Sequence, residues 1–191
     1  MRSPFEKRWA NFFMDFASNV KNLSYSEIEK VGAVLVEAET LQILGFGYNA
    51  LPRGSVNIME TRNENGELVP LPDIITAVQN VLLCSRLPQN PLATKVLYTT
   101  KVPSAHDAVL IANSNVYYVI VPNLDGDPDG LLKLDEYNIT VYTIDQLQDN
   151  VSDDEKIRAH LAKLMAEKKE AKETASVDSA VTGSATVSES N

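Results

Sequence analysis

The sequence predicts an α/β protein, a three-layer α/β/α sandwich on a five-stranded mixed sheet that starts with an antiparallel hairpin. Three observations predict it. The chain opens with an amphipathic aromatic stretch. Two apolar, β-rich runs follow with only a short turn between them. Three more β-rich runs are each separated by about ten residues of helical pattern, the mark of parallel strands joined by crossover helices.

The elements follow in order. Ser3 at the N-cap, Pro4 at the first helical position and Glu6 three residues on form a helix-start signature. Trp9, Phe12, Phe13, Phe16 and Val20 then share one face at helical spacing and are expected in the core. Val31–Val36 is apolar almost throughout, as a strand covered on both faces should be. Leu44–Asn49 is the second strand, and the turn around Glu37–Thr40 closes the hairpin. Residues 50–71 are rich in Asn, Glu, Gly and Pro and predict a long loop. Pro72 and Asp73 open a helix running to about Cys84. Lys95–Thr100, Val116–Val121 and Ile139–Ile144 are strands, with helices over 104–113 and 127–136 between them. A capping box at Ser152–Glu155 begins a last amphipathic helix.

Residues 1–150 therefore form the domain, 151–173 a C-terminal helix and 174–191 a Ser/Thr-rich tail too poor in large apolar residues to order itself.

Composition limits the function. The 191 residues carry a net charge of -9, with 18 acids and 11 bases in the first 150. No basic block is present, which disfavours nucleic acid and anionic membranes as partners. No apolar run reaches the length of a membrane span, and the first helix lacks the apolar stretch of a secretion signal. The expected compartment is the cytoplasm. The single cysteine, Cys84, excludes an internal disulfide. One cysteine and two histidines, His106 and His160, also exclude the common zinc-finger sets and any His₃ site.

Several words of sequence resemble the cytidine and deoxycytidylate deaminase family. They are KVGAVLV (Lys30–Val36), GYNALPRG (Gly47–Gly54), AVQN (Ala77–Asn80), LYTT (Leu97–Thr100) and VPSAHDA (Val102–Ala108). The deoxycytidylate branch fits best, and words and element order together cover about residues 5–145. The resemblance implies the cytidine deaminase-like sandwich, and a phage or bacterial setting (the host cytoplasm if phage-encoded). Family chemistry uses a zinc-bound water held by one His and two Cys, with a Glu moving the proton, in an H-x-E then P-C-x-x-C signature.

Laid on that signature, this chain has Thr76 at the metal His and Val78 at the proton-shuttle Glu. Ser104 and Asp107 stand at the two Cys positions. Only Asp107 is an ordinary zinc ligand, and Val78 cannot transfer a proton. His106 is about 100° around the helix from Asp107 and points elsewhere. Cys84 lies more than two turns beyond Thr76. Zinc is therefore not expected. Ser104-x-x-Asp107 is instead a capping box in the place of the cysteines, worth about 1 kcal/mol.

By the same resemblance the nucleotide-binding candidates are Asn49, Arg53, Asn80 and Tyr98. The expected function is that of a catalytically inactive deaminase-like protein acting by binding, assembly or regulation. Its partner would be a second copy, another protein or a deoxynucleotide. The competing expectations are a working or divergent dCMP deaminase, and a nucleotide sensor or sponge without turnover.

Overall fold

In the computed structural model, residues 3–88 and 92–148 are described, together with 163 and 166. The chain divides into two units, residues 1–153 and 154–191, and the architecture concerns the first. The predicted helix over 151–173 and the tail lie outside the described residues, apart from Lys163 and Ala166, which are helical.

The elements are α1 (Lys7–Val20), β1 (Gly32–Glu37), β2 (Ile43–Tyr48), β3 (Glu60–Arg62), β4 (Leu68–Pro70), α2 (Ala77–Cys84), β5 (Lys95–Thr99), α3 (Ala105–Ala112), β6 (Val116–Val121), α4 (Pro128–Glu136), β7 (Thr140–Thr143) and α5 (Ile144–Gln148). The main sheet has the order β2-β1-β5-β6-β7. β1 is antiparallel to both neighbours, while β5, β6 and β7 are parallel. Four of the five strands thus run one way, as the sequence pattern predicts. β1 is buried along its whole length, which explains its unbroken apolar run.

Successive side chains of a strand alternate faces. Val34, Val36, Val96, Tyr98 and Ile120 therefore face α1 and enclose a core with Ala10, Phe13, Met14 and Ala17. α5 packs along α1 on this side. The opposite face carries α2 and α3, with α4 beside α3.

Four expectations change. The helix-start signature at Ser3 makes a turn, and α1 begins four residues later, at Lys7. The reason is tertiary: the Tyr98 hydroxyl donates to the Pro4 carbonyl at 2.6 Å, and the Phe5 ring stands edge-on to Tyr118 at 4.9 Å. Those contacts hold the first residues to the sheet. The aromatic stripe is also rotated. Phe13 and Val20 are buried, but Phe12 is 50% exposed and Trp9 and Phe16 are only half-buried. The face nearest the sheet is Ala10, Met14 and Ala17, because α1 comes so close to β1 that a Cβ at Gly32 would lie 2.1 Å from the Ala17 carbonyl. Small residues permit that approach, and the rings flank it.

The helix expected from Pro72 starts at Ala77. Before it, Ile75 makes an isolated bridge with Ala50. The long loop also contains structure, since β3 and β4 form a small antiparallel hairpin. Its turn includes Asn65-Gly66, with Gly66 at φ 80°, a turn chemistry legible in the sequence.

Candidate functional site

α2 and α3 begin side by side under the main sheet, and both starts are fixed by capping boxes. At α2 the Thr76 hydroxyl accepts from the Gln79 amide at 3.1 Å, and the Gln79 side chain accepts from the Thr76 amide at 3.1 Å. At α3 the Ser104 hydroxyl accepts from the Asp107 amide at 3.1 Å, and the Asp107 carboxylate accepts from the Ser104 amide at 3.2 Å. The second box is the one the sequence predicts. The first is also written in the sequence, as Thr-x-x-Gln, downstream of the Pro72-Asp73 pair that reads as the helix start.

A further bond links the two helix starts. The Thr76 hydroxyl donates to Asp107 Oδ1 at 2.7 Å, while the Ser104 hydroxyl donates to Oδ2 at 2.9 Å. Asp107 is 3% exposed. Its carboxylate accepts three hydrogen bonds, two of them from hydroxyls, so its buried charge is well satisfied. Thr76 and Ser104 are thus joined through Asp107. Val78 is buried beside them.

Close packing holds this arrangement. A Cβ at Gly47 of β2 would lie 2.5 Å from the Val81 amide nitrogen, so α2 lies directly on the strand. A Cβ at Gly130 of α4 would lie 1.9 Å from the Pro103 carbonyl oxygen, so α4 touches the start of α3. Asp127 caps α4 through its own side chain and also accepts from the Ala105 amide of α3 at 3.2 Å.

A cavity of about 500 Å³ opens over these helix starts. Thr76, Ser104 and Asp107 form its polar floor, and Val31, Leu71, Ile74, Val78 and Val102 supply apolar wall. Glu29 and Lys101 stand at it as an ion pair at 2.5 Å, both about half-exposed. Sequence reasoning missed Glu29, Thr99, Lys101 and Asp127, which also line the cavity. Glu29 and Asp127 come from loops whose position no local pattern reveals.

The four nucleotide-binding candidates are not brought together. Asn49 lines the cavity, but its side chain accepts from the Val31 amide and donates to the Glu29 carbonyl, both at 2.8 Å. Asn80 donates to the Tyr48 carbonyl at 2.9 Å, tying α2 to β2. Tyr98 is fully buried on the α1 face, away from the cavity. Burial pushes its phenol up from the ordinary tyrosine value. Arg53 is exposed in the turn after β2. His106 is exposed, Cys84 is exposed at the end of α2, and His160 lies outside the described residues.

Among the described residues, no three His, Cys, Asp or Glu side chains cluster as a metal site. No helix among them is long and apolar enough to cross a membrane.

No protein-family model and no curated protein matches the chain. Solved structures do. The dCMP deaminase of cyanophage S-TIM5 in complex with dCMP and dUMP superposes with a TM-score of 0.60 at 25% identity, covering 71% of this chain and 96% of that one. The fold is that of the cytidine and deoxycytidylate deaminases. The apo form of the same cyanophage enzyme gives a TM-score of 0.55 at 24% identity, over 70% of the deaminase-fold chain and 94% of the enzyme. A diaminohydroxyphosphoribosylaminopyrimidine deaminase/5-amino-6-(5-phosphoribosylamino)uracil reductase from Thermotoga maritima gives 0.52 at 17% identity. It is matched over 82% of the deaminase-fold chain but 42% of its own length. The neighbours thus bear out the family resemblance and the sandwich architecture.

Proposed function

We propose that this chain is a deaminase-fold protein that does not deaminate, and that it acts by binding, as an assembly or regulatory module. One observation carries the reading: Asp107 accepts from both Thr76 and Ser104, so the metal-ligand positions are engaged with one another. The donor set does not fit a catalytic zinc ion. Such an ion takes three strong protein donors and keeps a fourth position open. Here one carboxylate and two neutral hydroxyls stand in those places. Val78 has no proton to give or take where the family's shuttle needs a carboxyl group.

The test is direct. Purified full-length protein is incubated with dCMP and added zinc, and cytosine absorbance is followed. No loss is expected, with zinc well below one equivalent per chain by metal analysis. Turnover that disappears with a chelator and in Asp107→Ala would overturn the proposal.

Two kinds of partner suit a binding role. Leu83 and Leu87, at and just beyond the end of α2, are 76% and 91% exposed. Exposed leucines so close in sequence support contact with a second copy or another protein. A small-molecule sensor is the second reading. It is supported by the cavity itself, whose volume suits a small molecule.

A further inference from the structure

The cavity over the starts of α2 and α3 has a chemical character of its own. Its polar side chains present lone pairs. The hydroxyl protons of Thr76 and Ser104 are both directed at Asp107. The Thr99 hydroxyl donates to the Lys101 carbonyl at 3.1 Å. The Asn49 amide group is held between the Glu29 carbonyl and the Val31 amide. Asp107 has used one acceptor site on Oδ1 and two on Oδ2, and a carboxylate has about four in all.

The charges point the same way. Three carboxylates line the cavity, at Glu29, Asp107 and Asp127, against one ammonium, at Lys101. That ammonium is already paired with Glu29. An entering phosphate would meet net negative charge and no unpaired side-chain cation, so its desolvation would go uncompensated. A flat cation with several N–H donors would find acceptors on the floor and apolar contact from Ile74, Val78 and Val102.

We propose that this cavity binds small, flat, cationic ligands of the amidine or protonated aminoheterocycle class, and discriminates against nucleotide phosphates. The inference rests on the non-deaminating reading above and names the ligand class of that same site.

Benzamidine, cationic at neutral pH, is the probe. Benzoate is the matched anion and dCMP the nucleotide. Each is added at 5 mM to the full-length protein, and the melting temperature is read, followed by equilibrium dialysis. Benzamidine is expected to raise the melting temperature by a few degrees through mass action, with no rise for benzoate or dCMP. Ile74→Trp, which adds bulk to the apolar wall and leaves the polar floor residues unchanged, should abolish the shift and the retained ligand. Asp127→Asn, which removes one of the lining carboxylates, should weaken binding several-fold. A rise with dCMP and none with benzamidine would overturn the ligand class. No shift with any probe, or a shift unchanged in Ile74→Trp, would overturn the site. These results are separable from the fate of the functional reading, because cytosine absorbance in the dCMP sample reports deamination independently.

Discussion

Tyr98 and Thr99 are adjacent in β5 and face two different chemistries. Tyr98 points into the α1 side, where Phe13, Met14 and the sheet valines close around it. Its hydroxyl has one specific use, a bond to the Pro4 carbonyl. Thr99 lines the cavity on the α2/α3 side, beside a buried carboxylate. One strand thus supports a closed, ring-filled layer and an open, acceptor-lined one. The closed face is held by apolar packing, while the open one is held by hydrogen bonds to a buried carboxylate, so both contribute to stability through different forces.

Substitutions can break that comparison. The largest effect is expected on the closed face. Phe13→Ala removes a fully buried ring and should cost about 3–5 kcal/mol in urea unfolding. Next comes the polar floor. Asp107→Ala leaves the Ser104 amide and the Thr76 hydroxyl without their acceptor, for a loss of about 2–3 kcal/mol by the same measurement. Asp107→Asn keeps the shape and should lose less, which would separate hydrogen bonding from volume.

Tyr98→Phe should cost about 1 kcal/mol at neutral pH by removing the bond to Pro4. It also sharpens the comparison through pH. Burial raises the Tyr98 phenol in the folded protein, so above about pH 10 the unfolded chain loses that proton first. Wild-type stability should therefore fall as pH rises beyond that point. The slope should be shallower in Tyr98→Phe, measured by urea midpoints across the alkaline range.

Thr76→Val removes the α2 cap and the bond between helix starts, and should cost about 1–2 kcal/mol. Hydrogen exchange should rise in the first turn of α2 ahead of global unfolding. The smallest change is expected for Phe12→Ser, within about 0.5 kcal/mol, because this ring is half-exposed at the edge of the α1 face. A large loss there would mean that the ring is covered in solution.

Much of the site was legible because capping is a local code. Ser104 and Asp107 are three residues apart, and their box follows from that spacing. Gln79 obeys the same rule with Thr76, yet the proline-aspartate pair upstream hid it. The bond from Thr76 to Asp107 spans 31 residues and has no local signature. The same distinction separates the first helix from its packing. Helical spacing showed that its rings share one side. Which of them reach the core was decided by the close approach at Gly32, a contact between elements.

By itself, the sequence determined the order of the main strands and helices, the single cysteine, and the Ser104-x-x-Asp107 capping box. These are matters of periodicity, counting and spacing. Only the tertiary structure decided that Thr76, Ser104 and Asp107 meet. It also decided that Tyr98 turns to the closed face, and that Glu29, Lys101 and Asp127 gather around one cavity. Hydrogen bonds and charges act over a few ångströms of space, and residues far apart in the chain come within that reach only when the helices are laid on the sheet.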